Sequence, residues 1–328
     1  MNAIKEEINN MKNLNVFQTV NNIPKKANLI SCKWVFKYKR DENGNITKRK
    51  ARLVARGFSQ RFGIDYSNTF SPTLKQESLR IIVALAVQRN FEIFQIDINA
   101  AYLNADLDIE IYMKPPEGYS SGNKGFWKLK KALYGLKQAG RQWNEKLNET
   151  LIKINFKRLI SEPCVYIKEN KNKEIICILT VYVDDILIIG MKNEILDVKD
   201  QIKDIYKIKD IGEVDFIISI KFEKQKNGYI LHQKGYIKEL IERYNLSNTK
   251  PVRNLKPVNE IKNRYKAFNE TSYRSAIGNL LYLAVCTRPD IIFSVVRAAR
   301  KSKNPTIEDW HNVKKIIRYL KGTLNYGI

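Results

Sequence analysis

The chain has 328 residues, 44% of them hydrophobic, enough to bury a sizeable core in one multi-lobed domain or in two or three smaller ones. Lys and Arg number 58 against 34 Asp and Glu, and the formal charge of +24 points to a polyanionic partner, nucleic acid before an anionic membrane. No run of about 18 apolar residues is present, MNAIKEEINNMKN has no apolar signal-peptide core, and Cys32, Cys164, Cys177 and Cys286 form no CxxC, which argues against a membrane span, a disulfide scaffold or a zinc site and fits a reducing intracellular compartment.

In chain order, the first thirty residues read as an amphipathic helix and a loop that includes Pro24. KWVFKYK and ARLVARGF read as the arms of a basic β-hairpin turning at Asn43-Gly44. Helical spacing behind a serine predicts a helix over 78–90. FEIFQIDINAAYLNADL begins as a strand carrying Asp97 and is expected to pass into a helix from about Ala100. KPPEGY is a turn segment, and FWKLKKALYGLKQAGRQWNEKLNETLIKINF holds a short strand, a basic turn and a long helix. EPCVYIKE and EIICILTVYVDDILIIG are strands, NEILDVKDQIKDIYKI is a helix, and EVDFIISIKFEKQKNGYILHQ is a hairpin turning at Asn227-Gly228. GYIKELIERYN, SYRSAIGNLLYLAVCT and IEDWHNVKKIIRYLKG read as helices, so the middle is mixed and the end mainly helical.

Two adjacent carboxylates, Asp184 and Asp185, sit between apolar arms in VYVDDILIIG. An unpartnered charge in a buried strand is costly. A tight hairpin with the acids at its tip resolves the conflict. Either it is an ordinary acidic turn, or, if the Asp97 strand pairs beside it, three carboxylates converge and offer the oxygen ligands that hard divalent cations require. GLKQAGR fails as a P-loop because Arg141 stands where Lys-Ser/Thr should follow, and no GxSxG nucleophile is present.

An ordered series of segments resembles the reverse transcriptase of Ty1/copia-type LTR retrotransposons: KWVFKYKRDENGNITKRKARLVARGFSQRFGIDYSNTFSP, IDINAAYLNADLDIEIYMKPPEGY, LYGLKQAGRQWNEKL, YVDDILI, SYRSAIGNLLYLAVCTRPDI and VKKIIRYLKGT. The resemblance implies an α+β right-hand polymerase: fingers, a palm with a βαββ antiparallel sheet, and a helical thumb and connection. It divides the chain into a lead and fingers hairpin (1–80), first palm part (81–112), second fingers part (113–145), palm with the YVDD and primer-grip hairpins (146–235) and helical thumb or connection (236–328). It implies an RNA-directed DNA polymerase that adds dNTPs to a primer 3′-hydroxyl on an RNA or DNA template. Asp97, Asp184 and Asp185 become the catalytic triad, holding two Mg²⁺ ions with help from the Ile98 carbonyl, and Mn²⁺ is the natural substitute. Lys39 and Arg52 would hold the triphosphate, with Arg40, Arg49 and Lys50 as alternatives; Tyr102 would exclude a 2′-hydroxyl and Gln138 would touch the nucleotide. Tyr182, Val183, Phe216, Ile217 and Ile218 would meet the primer and template.

The chain departs from the family at Tyr102 (often Phe), Ala105 (often Gly), Gly140 (often Pro) and near Ile218 (often Gly), none of which removes a carboxylate. KGTLNYGI falls about where a ribonuclease H domain is expected to begin. The expected place of action is the cytoplasm, within a virus-like particle, or the nucleus. Two rival readings remain: a decayed fold that only binds nucleic acid, and an unrelated two-metal nuclease or nucleotidyltransferase.

Overall fold

A continuous apolar run bounded by turns makes a strand buried on both faces. In the computed structural model, which describes residues 2–40, 46–119, 125–255 and 267–328, Asp185–Gly190 is such a strand. The chain divides into two units, Met1–Leu74 with Glu92–Gly212, and Lys75–Phe91 with Glu213–Ile328.

The first unit is built on a six-stranded sheet in the order Ile208–Glu213, Glu92–Ile98, Asp185–Gly190, Ile175–Tyr182, Val165–Glu169, Lys157–Arg158. Side chains alternate across a strand. Ile96, Ile98, Leu179, Val181, Ile186 and Ile188 thus share one face and join one core with helices Ala139–Lys153 (Trp143, Leu147, Leu151) and Lys192–Ile205 (Ile195, Val198, Ile202). The opposite face carries Asp97, Asp185 and Tyr182. A four-stranded sheet (Phe17–Val20, Phe126–Lys131, Asp106–Met113, Leu29–Ile30) and the hairpin Cys32–Arg40 with Ile46–Ala55 complete this unit, after the leading helix Asn2–Asn13. The expected hairpin turn at Asn43-Gly44 lies outside the described residues.

The second unit packs helices Lys234–Arg243, Glu270–Cys286 and Ile307–Gly322 around Leu240, Tyr273, Leu280, Val313 and Ile317. Thr306 and Asp309 close a reciprocal cap on the last helix. Helices Gln76–Gln88 and Ile292–Ala299 and a three-stranded sheet, Phe216–Ile217, Ile220–Gln225 and Gly228–His232, belong to the same unit.

Three local expectations need correction. The stretch read as a loop after the first helix carries strands Phe17–Val20 and Leu29–Ile30, because each finds a partner strand distant in sequence. No α-helix follows Asp97: Ala100 is left-handed (φ 55°), a 3₁₀ turn spans Ala101–Asn104, and strand Asp106–Met113 follows. Asn104 explains the arrest, because its Nδ2 donates to the carbonyls of Asn99 and Ala100, both at 3.2 Å, and so holds a turn rather than a growing helix. In the second unit Gln225 pairs with Gly228, so the hairpin turns on Lys226-Asn227, one residue earlier than expected.

Candidate active site

The antiparallel ladder sets the site. Asp185 lies directly opposite Asp97 on one side and Tyr182 on the other. Directly opposed residues in such ladders have Cα atoms about 4.5–5.5 Å apart. Val183 and Asp184 form the intervening two-residue turn, and Val183 takes φ 59°, a strained region for a β-branched residue. Both turn carbonyls are held: Ile98 N donates to Asp184 O at 2.9 Å, and Trp143 Nε1 donates to Val183 O at 2.7 Å. The hairpin tip is thus tied to the neighbouring strand and to helix Ala139–Lys153.

The three aspartates share one field. Burial pushes the Asp97 carboxyl above its ordinary range, the charges of Asp184 and Asp185 push further, and Lys50 and Lys209 oppose. Asp185 is also raised, first by burial and then by Asp184, against the amide of Gln95, whose Nε2 donates to Asp185 Oδ1 at 3.0 Å. Excess negative charge on oxygen atoms is the chemistry a hard divalent cation neutralises. Among the described residues no three His, Cys, Asp or Glu side chains close around one point. The carboxylate oxygens are donors of the kind Mg²⁺ prefers, but by themselves they do not close a coordination shell.

Gln95 is buried two residues before Asp97 and so faces the same side of the sheet. A hydrogen bond to a charged group is worth about 1.5–3 kcal/mol. Gln95→Leu is expected to slow single-turnover nucleotide addition about ten-fold, with primer–template binding unchanged in a filter or anisotropy titration. An unchanged rate would show that Asp185 needs no such support.

The residues expected at a nucleotide divide into groups. Tyr102 sits half-buried in the 3₁₀ turn; burial and the charge of Asp184 raise its phenol, and Arg52 opposes them. The Arg52 guanidinium lies 4.8 Å from the Tyr134 ring centre, and the Tyr102 ring meets Tyr134 edge-on at 5.2 Å. Lys50, an alternative to Lys39 and Arg52, acts on Asp97 directly. Lys39 pairs in register with Lys48 towards the far end of the hairpin. Gln138 is held by protein groups. It is buried, its Nε2 donates to Asp65 O at 2.7 Å and its Oε1 accepts from Gln60 Nε2 at 3.0 Å. Asp65, whose carboxylate accepts from Asn28 Nδ2 and Arg61 N, is itself buried, and its carbonyl needs a donor. The Gln138 amide therefore braces the loop at 57–66.

Phe216, Ile217 and Ile218 belong to the second unit. Phe216 is exposed and Ile217 buried, while Ile218 and Ser219, at φ 49° and 58°, form a tight turn whose Ile218 carbonyl accepts from Tyr282 Oη at 2.5 Å. Sequence reasoning missed Gln95, Trp143 and Tyr134. A lone glutamine in phase with Asp97 on an apolar strand was the available signal for the first. Nothing local marks the indole of Trp143 as a partner for a turn 40 residues away.

The reverse transcriptase (RNA-dependent DNA polymerase) family matches residues 14–258. The chain is 38% identical to the retrovirus-related Pol polyprotein from transposon TNT 1-94 of Nicotiana tabacum, over 98% of this chain and 25% of that protein. It is 37% identical to the Pol polyprotein from transposon RE1 of Arabidopsis thaliana, over 100% of this chain and 22% of the relative. A putative transposon Ty5-1 protein of Saccharomyces cerevisiae is 34% identical over 70% of this chain and 76% of its own length. The chain thus spans about a quarter of the Nicotiana and Arabidopsis polyproteins. It belongs to the reverse transcriptase (RNA-dependent DNA polymerase) family, as a domain of the Ty1/copia retrotransposon type.

Proposed function

We propose that the chain copies an RNA template into DNA by adding dNTPs to a primer 3′-hydroxyl, with DNA as a second possible template. The observation that carries this reading is the ladder placing Asp97 opposite Asp185, with Asp184 in the adjoining turn. In the right-hand layout, the basic hairpin and residues 113–145 act as fingers, 81–112 and 146–235 as palm, and 236–328 as thumb. Asp97, Asp184 and Asp185, with the Ile98 carbonyl, would hold two Mg²⁺ ions, with Mn²⁺ as a substitute. When bound, such ions supply charge neutralisation at the transferring phosphoryl group.

The chain's own residues do the rest. Arg52 and Lys39 hold the triphosphate by charge-assisted contacts. Tyr102, five residues beyond Asp97 and within the field of Asp184, packs against the sugar and excludes a 2′-hydroxyl. Tyr182 and Val183 support the primer end from the hairpin, and Phe216 to Ile218 grip the primer strand. The charge of +24 follows the phosphate backbone, and binding weakens steeply with salt. Catalysis rests on positioning the 3′-hydroxyl in line with the α-phosphorus and on preset charge.

Primer extension on a defined RNA template with Mg²⁺ tests the reading. The expected product grows only with the complementary dNTP. Duplex binding without incorporation, unrescued by Mn²⁺, would establish a fold that only holds nucleic acid. Template-independent addition or strand cleavage would establish a different nucleotidyltransferase or nuclease.

A further inference from the structure

Steric exclusion of a single hydroxyl requires a surface that cannot retreat. Tyr102 alone does not offer one. It sits in a four-residue 3₁₀ turn, half-buried, and Ala100 before it is left-handed. Its ring meets that of Tyr134 edge-on at 5.2 Å, with the planes at 68°. Edge-to-face pairs of this kind have a defined attractive geometry.

Tyr134 is far better anchored than Tyr102. Its carbonyl accepts from Ala55 N at 2.7 Å. The following Gly135 is left-handed (φ 89°), and its backbone approaches the hairpin so closely that a Cβ would stand 2.2 Å from Ala55 O. The same ring carries Arg52, whose guanidinium lies 4.8 Å from its centre and whose buried Nε has no hydrogen-bond partner. The ring is thus one surface against which the Arg52 guanidinium rests, and the charge of Glu7 acts on it as well. Burial keeps the Tyr134 phenol protonated, with a pKa raised to about 12, so the ring stays neutral beneath the cation.

We infer that Tyr134 is the positioning residue that fixes Tyr102 and Arg52 relative to each other, so that sugar discrimination depends on the Tyr102–Tyr134 pair and not on Tyr102 alone. The inference rests on the reading of Tyr102 as the sugar gate given above. Only the ring is needed for both contacts, so phenylalanine should serve and an aliphatic residue should not.

The test measures kcat/KM for matched dNTP and rNTP on one primer–template, using the full chain. The ratio of the two is insensitive to the active fraction of a preparation, so partial misfolding does not move it. Tyr102→Val is expected to admit ribonucleotides. Tyr134→Leu is expected to lower the dNTP-to-rNTP ratio several-fold, up to about ten-fold, and to raise KM for dNTP more than it lowers kcat. Tyr134→Phe should restore both. In the Tyr102→Val background, Tyr134→Leu should leave the ratio where it was and still raise KM, through Arg52. If Tyr134→Leu yields no folded protein, Tyr134→Met carries the same expectations. A ratio that is unchanged in the aliphatic variants while Tyr102→Val lowers it would overturn the inference and leave the gate standing. Effects of Tyr102→Val and Tyr134→Leu that simply add would also overturn it. A ratio unmoved by Tyr102→Val would remove the gate reading itself, and the inference with it.

Discussion

Asp184→Asn is expected to reduce primer extension by at least about 10³-fold while leaving duplex binding within two-fold. Loss of one preorganised charge at a reacting centre commonly costs about 10²–10³ in rate, and here the lost group is also an ion ligand in the proposed mechanism. Binding survives because the duplex meets the much larger basic surface. Asp97→Asn should behave alike in activity, and it adds a second readout in stability. The folded carboxyl of Asp97 has a pKa above its ordinary value, chiefly through burial and then through Asp184 and Asp185. A carboxyl whose pKa is raised on folding binds its proton more tightly in the folded chain. It therefore weighs against the fold as pH rises through the ordinary carboxylate range and the raised value, and the full penalty stands above both. Without divalent metal at neutral pH, Asp97→Asn should melt at the same temperature as the parent chain or higher, with the gap closing on acidification. A variant that is inactive and less stable at neutral pH would mean that the site is held together by Asp97 and not strained by it.

Much of this architecture is legible in the residues, and the illegible parts have physical causes. VYVDDILIIG announces a hairpin because apolar arms and an acidic pair admit few other solutions, and the ladder has that form. The helices over 76–88, 139–153, 192–205 and 307–322 follow from their apolar spacing. Strand Asp106–Met113 had a period-two signal, since Asp106, Asp108 and Glu110 are exposed and alternate with Leu107, Ile109 and Ile111. The helix-forming alanines just before it obscured that signal, and Asn104 decided the matter through side-chain bonds that composition does not reveal. Gln138 shows a different limit. A glutamine in a basic turn suits a nucleotide as well as a buried carbonyl, and only the fold shows that Asp65 is the group it satisfies. Tyr134 could not be singled out because its importance lies in two contacts, with Arg52 and Tyr102, that are 82 and 32 residues away in the chain.

Gly135→Ala is expected to destabilise the first unit by roughly 3 kcal/mol or more and to raise KM for dNTP in the fraction that folds. Two separate effects add. The backbone of Gly135 is left-handed at φ 89°, which costs a residue with a Cβ about 1–3 kcal/mol. The new Cβ would also stand 2.2 Å from Ala55 O and 2.7 Å from Val54 Cγ1, and overpacking of this sort costs about a further 1–3 kcal/mol. Gly63 separates the two. It has a similar φ of 77° but open space around its would-be Cβ, so Gly63→Ala carries the backbone cost without the collision. Urea denaturation of both variants should show Gly135→Ala the worse by about 1–3 kcal/mol. The collision partners lie on the hairpin strand that carries Arg52, and the strand can escape only by moving away from Tyr134. Such a shift lengthens the Ala55–Tyr134 hydrogen bond and withdraws Arg52 from the ring, so weaker dNTP binding should accompany the lost stability. Gly63→Ala, whose loop reaches the same region through Asp65 and Gln138, should leave KM unchanged. Equal destabilisation by the two alanines would mean that the hairpin accommodates a methyl group at no cost, and that its backbone contact with the Tyr134 turn does not fix the position of Arg52.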